Sequence, residues 1–382
     1  MAKPGRRRRQ IERRPAGQAS GVHEQPSFTV ADRDVADRAQ TLVRFWERQA
    51  PSIWAELETA RIEARTKWGW GWPEWCWVPN EVCWLWAFRS AFPGAGEATP
   101  ASVDEWMRTI EREELLERGM ELSQVAAAAN WRLTRGIYRF HPELRRALTQ
   151  TPVEDVSPEV LLRLPEWCVY VDLDGGERFA TSQTVGFYAY VDWRPGKTPM
   201  LRLLTVDGSL SELQGFICEL PLQHRTLAEA WSEMAKVAQG LEADAESKWR
   251  SALQIYLPLL VYLVSHEPDI GHRRDSERRP QRQRPARDAG GPNWWEVGYR
   301  VGAVLGRAPA RGPASAVGGT GSGRSPAPHV RRGHYHLYWT GPGRQEPQVR
   351  WLHPMLVGDR DGHELPPTIR RVDGQSGPGE SP

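Results

Sequence analysis

Four apolar runs between residues 165 and 220 constrain the fold of this chain more than any other feature. Each run is rich in β-branched and aromatic residues, and turn-forming residues lie between the runs, which is the pattern of successive strands. The runs are CVYVDL, VGFYAYVDW, MLRLLTVDG and LQGFICEL, and the turns are DGG, RPGK and DGS. Because short turns join antiparallel neighbours, the sequence predicts a small antiparallel sheet here.

Helical periodicity occupies the segments on both sides of this sheet. Apolar residues recur at helical spacings over 42–57 and again over 227–245, so helices are predicted to precede the sheet and to cover it. The apolar run 253–264 predicts a buried helix that bends near Pro258. Seven tryptophans crowd into 68–86, where the size of the indole ring favours a buried aromatic core over an exposed stacking surface.

Composition and charge divide the chain into ordered and disordered parts. The 382 residues include 35 Gly and 31 Pro. The net charge is only +2, but basic residues are concentrated in two runs, at 6–14 and 273–287. Polar segments rich in Pro and Gly bury too little apolar surface to fold, so disorder is predicted for 1–34, 271–292, 307–328 and 373–382. The predicted ordered parts are a Trp-rich helical region (35–150), a sheet with covering helices (151–270), a short helix (293–306) and a hairpin (329–372) that completes the sheet region. The predicted class is α+β.

Cysteine usage and hydropathy indicate the expected compartment. The four cysteines form neither a CxxC pair nor a zinc-ligand spacing, and their apolar surroundings predict buried, reduced thiols. The charged N-terminus lacks the apolar core of a secretory signal, and the strongest apolar run is shorter than the ~20 residues that span a bilayer. A cytoplasmic protein is the expectation.

The C-terminal stretch 329–357 combines basic, aromatic and apolar residues on two short runs joined by a Gly/Pro turn. Side chains alternate between the faces of a strand, so two paired runs present one apolar face and one polar face. The predicted apolar face holds Tyr335, Leu337, Trp339, Val349 and Trp351, and the predicted outward face holds His334, His336, Tyr338 and Arg350. Because an isolated hairpin is marginally stable, it must dock on the earlier sheet or helices. Its outward face either binds a ligand or only keeps a sheet edge soluble.

These residues suggest three further chemistries. A metal site is disfavoured, because His334 and His336 have no carboxylate or cysteine at a suitable spacing. The same histidines could act as acid and base in metal-free RNA cleavage, with Arg331 or Arg332 stabilising a phosphate. The basic runs and the aromatics could instead form a nucleic-acid-binding module, although such runs are more often solvated tails.

The other motifs in the sequence indicate no cofactor. Asp172 and Asp174 form a DxD that could hold magnesium, but the glycines after them favour a strand-ending turn. GxSxG, HExxH and Walker-type sequences do not occur in the chain.

Four ordered phrases carry a resemblance to a known family. They are LPEWCVYVDL at 164–173, LPLLVYLVSHEPDI at 257–270, WEVGYRVGAVL at 295–305, and HVRRGHYHLYWTGP at 329–342 followed by RWLHP. In this order they resemble the anti-CRISPR proteins of the second type V-A inhibitor family and their plasmid- and phage-borne relatives. The resemblance covers the C-terminal part of the chain and is interrupted by the predicted linkers.

The resemblance implies an adaptor rather than an enzyme. Such inhibitors recognise the N-terminal peptide of a type V-A effector nuclease during translation, and the encoding mRNA is then lost; the role is counter-defence on a mobile element. An aromatic and cationic surface suits a peptide ligand, because apolar anchors enter pockets while arginines meet carboxylates. The candidate peptide-binding residues are Arg331, Arg332, His334, His336, Tyr338, Trp339, Arg350 and Trp351. The Arg-rich segments could contact mRNA or the ribosome.

Overall fold

The structure is a computed structural model of the chain, and it describes residues 30–94, 98–179, 182–207, 217–238, 245–273, 291–307 and 329–357. Most of the predicted disordered tails and linkers therefore lie outside the described residues, as do residues 358–372 of the predicted hairpin region.

The described chain begins with five helices, and groups of strands and helices follow. The helices are α1 (Val30–Gln49), α2 (Ile53–Thr66), α3 (Asn80–Ala91), α4 (Pro100–Thr109), α5 (Arg112–Thr134), α6 (Pro142–Thr149), α7 (Leu227–Ala238), α8 (Ala245–Leu263) and α9 (Tyr299–Arg307). The strands are β1 (Gly136–Phe140), β2 (Cys168–Phe179), β3 (Ser182–Asp192), β4 (Met200–Asp207), β5 (Ile217–Pro221), β6 (Ile270–His272), β7 (Asn293–Val297), β8 (His329–Arg331), β9 (His334–Thr340), β10 (Glu346–Leu352) and β11 (Met355–Val357). Short 3-10 helices span Pro158–Arg163 and Pro342–Arg344. Among the described helices, none combines the length and the apolar composition that crossing a bilayer requires.

Seven strands form one mixed sheet in the order β5–β4–β3–β2–β1–β7–β6. Strands β2 to β5 are antiparallel neighbours, which confirms the predicted meander. Strand β1 runs parallel to both β2 and β7, and β6 pairs antiparallel with β7. The class is α+β as predicted, but the prediction of a small, purely antiparallel sheet is wrong, because β1 and β7 join it from segments before and after the meander.

The sheet separates two hydrophobic cores, because neighbouring side chains on a strand point to opposite faces. Ile137, Tyr188 and Trp294 belong to one core, to which helices α1, α3 and α5 also contribute. Phe187 and Trp295 belong to the other core, which includes residues of α6, α7 and α8. The sheet therefore lies between two helical layers.

Two strands lie where helix was predicted. The predicted helix 293–306 is wrong in its first part, since Asn293–Val297 is β7 and only α9 is helical. Gly298 separates them at φ +71°, a conformation that glycine adopts without steric penalty. Strand β1 lies within the region 35–150 that was predicted to be helical. A five-residue strand shows little periodicity of its own, and the pairing of β1 with β7 joins segments that are far apart in sequence.

The ordered chain also begins earlier than predicted. Helix α1 starts at Val30, inside the predicted tail, and Asp32 on it is buried. Asp32 accepts a hydrogen bond from Nη1 of Arg139 at 2.7 Å and pairs with Arg273 at 2.9 Å. Arg273 directly follows β6, within the segment 271–292 for which the sequence predicts a disordered linker. These long-range ion pairs hold a polar segment in the fold. The composition of that segment alone predicts disorder.

The Trp-rich segment contributes to a core, as predicted. Trp72 and Trp84 are buried, and five further tryptophans of this segment pack partly buried against the same core: Trp68, Trp70, Trp75, Trp77 and Trp86. The four cysteines are buried and free of disulfides, which agrees with the expectation of inert thiols.

One carboxylate is fully enclosed beside the sheet. Glu166 is buried, and the indole Nε1 of Trp295 donates a hydrogen bond to its Oε1 at 2.9 Å. A Cβ on Gly136 would lie 2.2 Å from Oε2 of Glu166, so any larger residue there would have to displace the carboxylate. Burial raises the pKa of Glu166, and hydrogen bonds to the carboxylate oppose that shift without cancelling it.

Glu166→Gln is therefore expected to change how stability depends on pH. The folded state favours the protonated carboxyl, so the free energy of unfolding of the natural chain should fall as pH rises above about 4.3, the unfolded value. Glutamine removes this slope, which is at most about 1.4 kcal/mol per pH unit for one group. Urea unfolding between about pH 4 and pH 8 measures both curves. Glu105→Gln on α4, an exposed site, is the control, and parallel curves for the natural chain and Glu166→Gln would contradict the prediction.

Candidate functional site

The C-terminal hairpin is a separate two-stranded sheet made of β9 and β10. The strands pair antiparallel with Val349 opposite Leu337, Trp351 opposite Tyr335 and Arg350 opposite His336. This register confirms the predicted division into two faces. Its inner face meets the core through Tyr335, Leu337, Val349 and Trp351.

The inner face docks on helix α8. Val349 is fully buried, and the hydroxyl of Tyr335 donates to the backbone carbonyl of Pro258 at 2.6 Å. The ring of Trp351 lies 5.7 Å from that of Tyr262, and its Nε1 donates to Oγ1 of Thr151 at 3.3 Å. Burial raises the pKa of Tyr335 well above its ordinary value. The predicted docking of the hairpin is confirmed, and the surface that receives it is helical.

The outer face carries a cluster of aromatic and imidazole rings, in which His336 and His266 are exposed and Tyr338 is half-buried. The rings of His336 and Tyr338 are tilted with centroids 6.0 Å apart, and His266 meets Tyr338 edge-on at 6.4 Å. Nε2 of Gln348 lies 2.8 Å from Nδ1 of His266. Arg350 is exposed beside this cluster, directly opposite His336. These five residues are called the hairpin outer face.

The other predicted site residues occupy different positions. Trp339 was predicted on the apolar face but is 48% exposed, because it pairs with Pro347 next to the turn while the core contacts lie farther back along the strands. Trp351 faces the core, His334 is half-buried and Arg332 is exposed. The backbone of Arg331 pairs with β11, and its side chain lies outside the described residues. The structure thus groups His336, Tyr338 and Arg350 and separates them from Trp351.

His266 is a member of the face that the sequence did not predict. It lies in the loop after α8, where its backbone N–H donates to the carbonyl of Val349 at 2.7 Å. His266 lies in the phrase SHEPDI, which carries part of the resemblance, but no local pattern in that phrase indicates contact with the hairpin.

The phrases that carried the resemblance contact one another in space. Trp295 of one phrase bonds Glu166 of another, as described above. Asp269 accepts hydrogen bonds from the backbone N–H groups of Arg300 at 2.9 Å and of Val301 at 3.2 Å, and so caps the start of α9. The hairpin phrase reaches α8 through Tyr335 and Trp351. The phrases therefore build one structural unit that holds the hairpin.

The two aspartates of the DxD have separate roles. Asp172 is buried and accepts from Nε of Arg139 at 3.1 Å. Burial raises the pKa of Asp172, and the guanidinium of Arg139 opposes that shift. Asp174 is exposed, and β2 continues past it to Phe179, so the predicted turn at DGG is wrong. In the described part of the chain, no three His, Cys, Asp or Glu side chains are grouped as metal ligands would be.

A family model matches residues 138–359, more than half of the chain, and its description is the AcrVA2-like anti-CRISPR type V subtype A2 family. The chain belongs to this family. The match begins in β1 and ends just after β11, so it includes the sheet, α8 and the whole hairpin. The resemblance stated from the sequence is confirmed.

Two further proteins are similar to this AcrVA2-like chain. Protein FinQ of Escherichia coli is 21% identical over 276 residues, which cover 64% of this chain and 78% of FinQ. The crystal structure of AcrVA2 aligns with a TM-score of 0.54 and 20% identity over 84% of this chain and 98% of that one. At this identity, the structural likeness shows a shared fold.

Proposed function

We propose that this chain is an adaptor that binds the N-terminal peptide of a type V-A CRISPR effector nuclease during translation and causes loss of the effector mRNA. The observation that carries the proposal is the family match over 138–359, which includes the complete hairpin. The protein acts in the cytoplasm, as counter-defence for a mobile element such as a plasmid or phage, and uses no catalytic residue of its own. A type V-A effector is thus the partner whose production is lowered.

The hairpin outer face has the chemistry that peptide capture requires. Arg350 and the imidazole of His336 provide donors for carboxylates and backbone carbonyls, and Tyr338 provides an aromatic surface. Among the described strands, β9 pairs only with β10. Its other edge can therefore accept an extended peptide as an added strand, with main-chain hydrogen bonds giving affinity and side chains giving specificity.

Recoding the start of the effector gene tests whether the peptide is what is recognised. In cell-free translation with the purified protein, synonymous changes in the first codons alter the mRNA but keep the peptide, so mRNA loss is expected to continue at the same rate. Missense changes in the same codons alter the peptide, and we expect the mRNA half-life to return to that without inhibitor. Quantitative PCR over time measures both.

The same experiment separates the rival functions. Loss of mRNA in the absence of translation would indicate an RNA-cleaving enzyme and contradict the adaptor. An mRNA half-life that changes with the synonymous codons would indicate that the protein recognises the nucleotide sequence directly. That result would also contradict the adaptor.

A further inference from the structure

The C-terminal end of α2 and the loop after it form a surface of alternating cations and indoles. The guanidinium of Arg65 lies 4.3 Å above the ring of Trp72, which is buried beneath it. One helical turn earlier, the guanidinium of Arg61 lies 4.0 Å above Trp77. We name Arg65, Trp68, Trp70 and Trp72 the α2 face; the neighbouring Lys67 pairs with Glu63 at 3.5 Å.

The two stacked arginines differ in their charge balance. Arg61 is neutralised by Glu58, whose carboxylate accepts from Nε at 2.8 Å and from Nη2 at 2.6 Å. Arg65 is exposed and forms no ion pair within the part of the chain that the structure describes. Glu58 attracts Arg65 only from beyond ion-pair distance. A cation that is ordered on an aromatic ring with no carboxylate in contact can therefore meet an anion without a further ordering cost.

The neighbouring indoles are partly exposed. Trp68 and Trp70 are half-buried with ring centroids 5.7 Å apart. Gly69 and Gly71 flank Trp70, and a Cβ at either glycine would find nothing within 4 Å. The loop therefore presents two indole rings that each pack on one side against the core and are partly exposed, next to exposed glycines.

We infer that the α2 face binds single-stranded RNA. Stacking of bases on indoles and pairing of phosphates with an arginine are the two interactions that single-stranded nucleic acids use with proteins. An acidic peptide would satisfy the arginine but offers fewer flat rings to the indoles, so RNA fits both halves of the surface. The inference rests on the proposed function in one respect: the RNA that the face would hold is the transcript being translated.

Binding of a labelled oligouridine of about 16 nucleotides to the full chain tests the inference, with anisotropy read at several salt concentrations. Arg65→Ala removes one phosphate contact, so the slope of log affinity against log salt should fall by about 0.7. Trp68→Ala with Trp70→Ala should weaken binding about ten-fold or more with an unchanged slope, and Trp68→Phe with Trp70→Phe should restore much of it. Arg225→Ala and Phe92→Ala, at exposed sites elsewhere, are the matched controls.

Photo-crosslinking with 4-thiouridine gives the second readout, and adducts are expected within 65–72. Adducts confined to the basic runs at 6–14 and 273–287, or equal affinities for all variants, would overturn the inference. Equal competition by polyglutamate and RNA would identify an acidic peptide as the ligand instead and overturn it as well. Arg65→Ala should bind the effector peptide with normal affinity. An error in the RNA inference would therefore appear only in the RNA-binding assay, and an error in the adaptor proposal would appear in the peptide-binding assay.

Discussion

Trp351→Ala is expected to release the hairpin from the body of the protein, while Trp339→Ala is not. Trp351 loses its contact with Tyr262 and its hydrogen bond to Thr151, and the cavity left under the hairpin cannot be filled by alanine. Truncating a fully buried tryptophan costs about 3–5 kcal/mol, and for this half-buried ring we expect about 2 kcal/mol. Hydrogen exchange of the amides in β9 and β10 should then quicken by about thirty-fold.

Trp339 offers a matched control on the same strand pair. Its side chain is 48% exposed, so its removal should change stability by no more than about 0.5 kcal/mol. Equal exchange rates for the two variants would show that Trp351 does not hold the hairpin. Peptide capture should fall with Trp351→Ala only to the extent that the hairpin is released.

The hairpin was predictable because its information is local. Alternation of side chains assigned Tyr335, Leu337 and Trp351 inward and His336 and Arg350 outward, and the observed register agrees. Trp339 followed the same alternation but has no core beside it near the turn. Alternation gives the face of a side chain, whereas its burial depends on how far the neighbouring element extends.

Two strands of the seven-stranded sheet could not be predicted, because the information that specifies them is not local. Strands β1 and β7 are five residues long, and each is completed by a partner distant in sequence. The burial of Asp32 depends likewise on Arg139 and Arg273, which no local pattern connects to it. His266 belongs to the hairpin outer face because its loop forms a hydrogen bond with β10. This contact exists only in the folded chain, so the sequence pattern does not predict it.

The largest expected effect on binding comes from the combined substitution of His334, His336 and Arg350 by alanine. His336 and Arg350 are exposed and opposite each other, and hydrogen bonds that involve a charged group contribute about 1.5–3 kcal/mol each. Affinity for the effector N-terminal peptide should therefore fall by about 100-fold or more, which amounts to loss of capture in practice. Stability should change little, because two of the three side chains are exposed.

The most direct test asks whether His336 and Arg350 of the hairpin outer face, together with the adjacent His334, form the peptide site. A fluorescent effector N-terminal peptide is titrated into the natural chain, the triple-alanine variant and the control Arg225→Ala. The account predicts saturable binding by the natural chain and by Arg225→Ala, and no saturation by the triple variant at the same concentrations, with all three showing the same unfolding midpoint. Equal affinity of the folded triple variant and the natural chain would contradict it.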